Sequence, residues 1–324
     1  MSSDDRIVAI VNPAAGGGRA ARRWATEEEH LRARWSGLEI ARTEHRGHAT
    51  TLARQALEDG VPLVVAVGGD GTANEVLTGF VDEDGNNRFP EAELGLLGAG
   101  TGGDFLRQLG SPSWSEQLEA LDQPGQLVDY GALRFLDHEG AMRVRPFLNG
   151  ASAGLTGDVV ARVLRASRVS RRLLGAKGTY AWYSLRGIMA YDFPPVEVQV
   201  DGGEPRSVRL ALATANNGQY FGGGMWIAPG AVLDDGLLEI QYAGDISIRQ
   251  MLGLFGKVFG GKHVGHRLIS SARGTRLSMR ALDKEVLVEI DGEQPGRLPG
   301  ELWLVPRGLR LRAAGLGVRL SSPE

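Results

Sequence analysis

Hydrophobic and polar positions alternate in two different ways along the chain, and the change falls near residue 130. In the first part, short runs rich in β-branched residues are separated by stretches with the apolar spacing of helices. This alternation is typical of βαβ units and predicts an α/β domain with a mostly parallel sheet. The predicted strands are Arg6–Val11, Leu38–Thr43, Leu63–Val67 and Leu94–Leu97, and the predicted helices are Arg19–Trp35, Ala49–Glu58 and Thr72–Val81.

From about Gly131 the pattern becomes one of hairpins, in which short strands are separated by turn residues. It predicts a β-rich second domain over residues 131–324, after a first domain over residues 1–130, with the alternative that the last residues return to the first domain. The predicted strands flank Asp137–Gly140 and continue at Val196–Val200, Val208–Thr214, Leu237–Tyr242 and Glu285–Ile290, with helical inserts at Asp158–Arg172, Tyr180–Met189 and Ser247–Phe259. Two similar segments, Val198–Gly202 and Val288–Gly292, predict Asp-Gly hairpin turns.

The length, net charge and cysteine content of the chain exclude several classes of function. A length of 324 residues favours two domains over one. The net charge of −3 argues against broad nucleic-acid binding, and the lack of cysteine removes thiolate metal sites and cysteine nucleophiles. The polar amino terminus does not resemble a signal peptide, and the most apolar run, Leu63–Val67, is too short to span a bilayer. We therefore expect a cytoplasmic protein whose membrane contact is peripheral.

Three glycine-rich loops each follow a predicted strand. Asn12–Gly18 alone fits a structural turn as well as a phosphate loop, because it lacks the lysine ending of a P-loop. Gly68–Glu75 is more specific: its glycines let backbone N–H groups approach phosphate oxygens, and Asp70 can orient a metal ion. Gly100–Phe105 repeats this arrangement after the next strand. Loops at the carboxyl ends of neighbouring strands predict one nucleotide site.

These motifs, in this order, resemble the diacylglycerol kinase catalytic family of lipid kinases. The resemblance covers nearly the whole chain and implies an α/β nucleotide-binding domain followed by a β-sandwich-like domain. It implies an ATP- and Mg²⁺-dependent kinase acting on a lipid hydroxyl. The nucleotide-binding residues implied by this resemblance and by the loops are Asn12, Pro13, Ala14, Ala15, Gly16, Thr43, Gly68, Gly69, Asp70, Gly71, Thr72, Ala73, Asn74, Thr101 and Asp104.

The same resemblance assigns roles in the second domain. Its downstream motifs are Asn216–Gly218, Gly222–Gly224, Pro229, Asp234–Leu237 and Asp291–Glu293. Glu293 matches the residue proposed as the catalytic base, and a carboxylate is a suitable acceptor for a hydroxyl proton. Asp235 matches the carboxylate of a structural Mg²⁺ site, with carbonyl donors at Val232 and Leu237; an Asp-Gly turn without a metal is the alternative.

One position departs from the family. Gly103 stands where the family usually has Asn, so the third loop lacks a polar side chain. This change leaves open a homologue with weakened nucleotide affinity or no turnover. A second alternative is a kinase of soluble substrates related to NAD kinase, which shares a Gly-Gly-Asp-Gly loop but gives no reason for the Asp-Gly-Glu motif.

A basic stretch supplies the remaining prediction. The cations Arg162, Arg165, Arg168, Arg171, Arg172 and Lys177 alternate with the apolar residues Val163, Leu164, Val169, Leu173 and Leu174. A basic amphipathic helix is a suitable partner for an anionic membrane surface, while a solvated charged face is the simpler explanation. The expected partners are therefore a lipid substrate and a membrane surface. The sequence does not choose the lipid, and a homodimer remains an open alternative.

Overall fold

The computed structural model describes residues 6–98, 103–164, 182, 183 and 185–316. The chain divides into two compact units. The first contains Met1–Tyr130 with Val305–Glu324, and the second contains Gly131–Leu304. The division falls at the residue where the hydrophobic pattern changes, and the last residues belong to the first unit.

The first unit is an α/β layer structure. Its strands β1 to β4 are joined by helices α1 to α3, and two short helices follow β4. The elements are β1 (Arg6–Val11), α1 (Ala15–Arg34), β2 (Gly37–Arg42), α2 (His48–Glu58), β3 (Leu63–Gly68), α3 (Asp70–Phe80), β4 (Glu93–Gly98), α4 (Asp104–Gln108) and α5 (Trp114–Ala120).

Strand pairing in this unit is parallel. The order is β2-β1-β3-β4, and residues Arg310–Arg312 of the last strand add in parallel beside β4. Every residue of β3 is buried, as expected for a central parallel strand covered on both faces. Since the strands are parallel, the loops that follow β1, β3 and β4 leave the sheet at the same edge.

The second unit contains strands β5 to β14 and helices α6 to α8. The elements are β5 (Gln126–Asp137), β6 (Met142–Phe147), β7 (Gly150–Gly154), α6 (Leu155–Leu164), α7 (185–190), β8 (Pro195–Val200), β9 (Arg206–Asn216), β10 (Leu238–Gly244), α8 (Ile248–Val258), β11 (Ser270–Gly274), β12 (Arg276–Ala281), β13 (Leu287–Ile290) and β14 (Glu293–Arg312), of which β5 begins and β14 ends in the first unit.

Strand pairing in the second unit is antiparallel throughout the described pairs. The sheet of the chain as a whole is therefore mixed, and the prediction of a mostly parallel sheet holds only for the strands of the first unit. The core of the second unit is built from inward-facing residues such as Phe147, Leu210, Ile240, Leu277 and Leu302.

The predicted elements differ from the structure mainly where glycine and proline interrupt the pattern. Strand β14 was not predicted, because Gly296, Pro299 and Gly308 break its apolar alternation. It is nevertheless a strand, which pairs with β13, β12 and β4. Gly296 lets it lie against the backbone of Leu136, where a Cβ would overlap the carbonyl oxygen. Strands β7, β11 and β12 and helices α4 and α5 were also missed.

Other predicted boundaries agree closely. Helix α1 is assigned from Ala15, but Gly16, Gly17 and Gly18 have φ angles of 60°, 68° and 85°, so regular helix begins at Arg19. The two Asp-Gly turns are confirmed, with left-handed φ at Asp201, Gly202, Asp291 and Gly292. None of the described helices combines the length and the apolar character needed to cross a bilayer.

Candidate nucleotide and acceptor sites

Asn12 ties the first glycine loop to the second. Its Oδ1 accepts the N–H of Ala14 at 3.0 Å, which shapes the turn after β1. Its Nδ2 donates to Oγ1 of Thr72 at 3.0 Å, and its backbone N–H donates to the carbonyl of Val67 at 3.0 Å. The hydrogen bond between Asn12 and Thr72 therefore fixes the position of the first loop relative to the second. Neither residue lines the cavity described below.

The glycines of the second loop have different reasons to be glycine. A Cβ at Gly68 would overlap the side chain of Thr72, which is almost fully buried. A Cβ at Gly69 would meet nothing within 4 Å. Gly68 therefore allows close packing, whereas Gly69 leaves its backbone open to a ligand at the start of α3.

Asp70 joins the second loop to the third. Its Oδ2 accepts the N–H of Asp104 at 2.7 Å, and its Oδ1 accepts the N–H of Phe105 at 3.3 Å. The carboxylate thus receives the first N–H groups of helix α4, an arrangement that stabilises negative charge there. Gly103 adjoins it, since a Cβ at this position would lie 3.2 Å from Oδ1 of Asp70.

A cavity of about 280 Å³ is bordered by all three loops. Its walls include Gly16 from the first loop, Gly69 and Asp70 from the second, and Gly103 from the third. Arg19, in the first regular turn of α1, also lines it. Exposed glycine backbone together with one guanidinium fits a polyphosphate, because N–H groups and a cation both favour negative charge.

The other predicted nucleotide residues lie around this cavity or apart from it. Gly68 and Ala73 line it. Thr43 follows β2 and donates its N–H to the carbonyl of Val11 at 3.0 Å, but it is not part of the lining. Asn74 is fully buried within α3. Pro13 and Ala14 lie in the first loop, and Ala15, Gly71 and Asp104 lie in the first turns of α1, α3 and α4; none of them lines the cavity. Thr101 lies outside the described residues.

Arg19 is a cavity residue that the motifs of the sequence do not identify. The available signal was its position as the first cation after Gly16–Gly18, at the start of a helix that follows a glycine loop. The described residues contain no group of three or more His, Cys, Asp or Glu side chains able to hold a metal ion. Asp70 is the carboxylate that lines the cavity. A nucleotide-bound Mg²⁺ takes most of its ligands from phosphates and water, so one carboxylate is compatible with it.

In the second unit, the Asp-Gly-Glu motif forms the turn between β13 and β14. Asp291 is buried, and its carboxylate accepts the N–H groups of Leu148, Asn149 and Gly150 at 2.9, 3.0 and 3.1 Å. The predicted Asn216–Gly218 motif reaches the same place, because the N–H of Asn217 donates to the carbonyl of Asn149 at 2.8 Å. Two distant motifs therefore meet at one rigid turn.

Glu293 leaves this turn at the first position of β14. Its Oε2 lies 2.9 Å from NH1 of Arg145, and both side chains are largely buried. The ion pair fixes the orientation of the carboxylate in the way that a third group orients a catalytic base. Arg145 is a second residue that the sequence analysis missed, since no local pattern links it to Glu293.

The residues around Asp235 do not fit the expected Mg²⁺ site. Its Oδ1 accepts the N–H of Leu237 at 3.0 Å, as in an Asp turn, and its Oδ2 pairs with Arg273. The same guanidinium lies 2.9 Å from Oε1 of Glu239, whose pKa is raised by burial despite the cation. A metal ion at Asp235 would lie beside this cation and repel it. We therefore assign Asp235, Val232 and Leu237 to a turn held by an ion pair, and no chemical step to a metal there.

The second unit contains an apolar cavity of about 100 Å³. Residues of α8, including Met251 and Leu254, form one wall, and sheet residues such as Ala211 form another. His263 and Gln241 also line it. Nε2 of His263 lies 2.9 Å from the carbonyl of Ile227 and 3.0 Å from Oε1 of Gln241, and burial lowers the pKa of His263. The imidazole is therefore held neutral.

The predicted basic helix is only partly described. Arg162 lies in α6 and pairs with Asp158 at 2.6 Å, so its charge is neutralised locally. The remaining cations, Arg165, Arg168, Arg171, Arg172 and Lys177, lie outside the described residues, as do Val169, Leu173 and Leu174.

Comparisons with known proteins agree with the division of the chain into two units. A family model described as "Diacylglycerol kinase catalytic domain" matches residues 6–131, and one described as "YegS C-terminal NAD kinase beta sandwich-like domain" matches residues 151–313. A Chromohalobacter salexigens protein named "Probable lipid kinase YegS-like" is 35% identical over 208 residues, which are 63% of this chain and 60% of that protein. A diacylglycerol kinase of Bacillus subtilis is 31% identical over 266 residues, 79% of this chain and 78% of that protein.

A solved structure is similar over almost the whole chain. The crystal structure of a diacylglycerol kinase from Bacillus anthracis superimposes with a TM-score of 0.67 at 21% identity, covering 95% of this chain and 97% of that one. At this identity the likeness concerns the fold.

Proposed function

The chain belongs to the diacylglycerol kinase catalytic family, and we propose that it transfers the γ-phosphate of ATP to the hydroxyl group of a diacylglycerol-like lipid. The observation that carries this proposal is the convergence of Gly16, Gly69, Asp70 and Gly103 on one cavity beside Arg19. Phosphoryl transfer depends mainly on positioning and charge stabilisation, and these groups supply both.

On the nucleotide side, the open backbone at Gly69 and the guanidinium of Arg19 would bind phosphate oxygens. Asp70 has two roles in this proposal. It holds the third loop through the N–H groups of Asp104 and Phe105, and it faces the cavity where a phosphate-bound Mg²⁺ would need a carboxylate ligand. That ion would supply charge neutralisation of the transferred phosphoryl group.

In the second unit, Glu293 would accept the proton of the lipid hydroxyl while the hydroxyl oxygen attacks the γ-phosphorus of ATP. The rigid Asp291 turn sets its backbone position, and Arg145 sets its side-chain orientation. Arg145 is a positioning residue in this scheme, because it acts through Glu293.

The apolar cavity supports a lipid acceptor over a soluble one. Its lining is aliphatic and aromatic apart from a few polar side chains, and it has the character of a site for a hydrocarbon chain. A kinase of soluble nucleotides needs no apolar site for its acceptor. The similarity to an NAD kinase sandwich domain therefore concerns the fold of the second unit.

The test is transfer of label from [γ-³²P]ATP to a panel of acceptors: diacylglycerol, phosphatidylglycerol, a sphingoid base and NAD. We expect label in the organic phase with one or more lipids, and none in NAD. Label in NAD alone would establish the soluble-substrate alternative. ATP binding without transfer to any acceptor would support a non-catalytic homologue.

A further inference from the structure

The outer side of helix α8 exposes apolar residues to solvent. Ile248, Leu252 and Phe259 are 37%, 39% and 49% exposed, and Val264 in the following turns is 44% exposed. At about 100° per residue, the first three positions fall within about 40° of the helix circumference. These four residues are called the α8 surface below. Apolar side chains gathered on one exposed face commonly mark an interaction site.

The adjacent side of the same helix faces the apolar cavity. Met251, Leu254 and Val258 line it, so α8 is a wall of the cavity that is also exposed to solvent. Helix α7 is built in the same way. Its Ile188 lines the cavity, while Met189 is 64% exposed.

The charged residues along the segment that carries the α8 surface are mostly basic. The segment Asp245–Ile269 contains Arg249, Lys257, Lys262 and Arg267 and one acid, the exposed Asp245, although the whole chain has a net charge of −3. All four cations are exposed, and none forms an ion pair with another described residue. An apolar stripe bordered by unpaired cations is complementary to a bilayer that carries anionic headgroups.

We propose that the α8 surface docks on an anionic phospholipid bilayer, with Ile248, Leu252 and Phe259 in the interface and Arg249, Lys262 and Arg267 at the headgroups. This role rests on the proposed lipid kinase activity in one respect. Docking would place α8, and with it the wall of the apolar cavity, against the source of the lipid acceptor.

The experiment is co-sedimentation of the full chain, without ATP, with vesicles of phosphatidylcholine alone or with about 30% phosphatidylglycerol, which supplies the negative surface potential. We expect binding to the anionic vesicles only, weakening as salt is added. The double variant Arg249→Gln/Lys262→Gln should bind about 25-fold more weakly at low salt, roughly fivefold per cation. The matched control is Arg22→Gln/Arg206→Gln, which removes the same charge at two exposed positions elsewhere.

A second pair of variants tests the contribution of the apolar side chains to vesicle binding. Leu252→Gln should reduce binding severalfold. Leu282→Gln should not, because Leu282 is 41% exposed but directly follows β12, away from α8 in the sequence. Thermal unfolding of each variant checks that the fold is retained. Because binding is measured without nucleotide, a chain that docks but does not phosphorylate lipid separates this proposal from the proposed function.

Three results would overturn the proposal. The first is that the wild-type chain does not bind anionic vesicles. The second is that the α8 variants bind vesicles as tightly as their controls. The third is that Leu252→Gln abolishes a dimer in sedimentation velocity while vesicle binding is unchanged, which would identify the α8 surface as an interface between copies of the chain.

Discussion

At the scale of single residues, His263 is a buried imidazole whose neutral state is part of the fold. Nε2 faces the oxygen atoms of Ile227 and Gln241, so it carries the proton of the neutral ring. Burial lowers the pKa of His263 below its usual value, against the smaller opposing effect of the hydrogen bond to Ile227. The unfolded chain therefore binds this proton more readily than the folded chain.

This linkage predicts the sign of a pH effect. The contribution of His263 to stability is fully present above the unfolded pKa of about 6.5 and is lost as pH falls below it. Replacing His263 with Gln should lower the melting temperature at pH 7.5 but flatten its decline between pH 7.5 and pH 5.5. His30→Gln, at an exposed position in α1, should keep the wild-type decline. Equal slopes for wild type and His263→Gln would contradict this explanation.

Gly103 is the residue at which the sequence analysis predicts a departure from the family pattern. Its φ of −70° and ψ of 126° are accessible to any residue, so backbone conformation does not require glycine. A Cβ there would lie 3.2 Å from Oδ1 of Asp70, close enough to require a shift of a few tenths of an ångström. The position therefore accepts a side chain at a small steric cost.

We expect Gly103→Asn to lower the KM for ATP about fivefold, since one added hydrogen bond is worth about 1 kcal/mol. Gly103→Ala makes the same contact with Asp70 without the amide, and it should leave the KM unchanged or raise it. Steady-state kinetics over an ATP titration measures both variants. If Asn and Ala give the same KM, the missing amide is not what distinguishes this loop.

At the scale of elements, the two Asp-Gly hairpins form a natural comparison. Asp291 uses both carboxylate oxygens: Oδ2 accepts from Leu148, and Oδ1 accepts from Asn149 and Gly150. Asp201 uses Oδ1 alone for its three described bonds, two from Thr275 and one from Arg276. An amide preserves one acceptor oxygen and loses the other.

Asp291→Asn should therefore destabilise the protein by about 1–3 kcal/mol, because a buried N–H loses its acceptor. Asp201→Asn should cost clearly less. Asn tolerates left-handed φ well, so backbone strain does not explain the difference. Urea unfolding of the two variants measures it, and equal losses of stability would show that the carboxylate contacts of Asp291 are not what anchors this turn.

The strands and loops of the nucleotide site could be predicted from the sequence, whereas several side-chain partners could not. The run Leu63–Val67 predicts a buried strand, and the glycines around Asp70 predict a ligand loop after it; parallel pairing then brings the loops together. The partners of the site were harder to find. Arg145 is 148 residues from Glu293 in the sequence, and Arg273 is 38 residues from Asp235, so no local period links them.

At the scale of the whole molecule, the two units divide the chemistry. The first has a cavity bordered by glycine loops, Asp70 and Arg19, which suits a nucleotide. The second has an apolar cavity and an oriented carboxylate at Glu293, which suit a lipid and the removal of its proton. Two family models match the chain in the same order, a catalytic domain model over residues 6–131 and a β-sandwich-like domain model over residues 151–313.

The most direct test is the kcat for lipid phosphorylation by Glu293→Gln, compared with Glu285→Gln, which removes a carboxylate from an exposed position nearby in the sequence. If Glu293 accepts the hydroxyl proton, its replacement should lower kcat by about 10² to 10⁴ while the Kd for ATP stays unchanged. The Glu285 variant should phosphorylate lipid at the wild-type rate. A Glu293→Gln enzyme with undiminished kcat, or one whose loss of activity is explained by loss of ATP binding, would contradict this account.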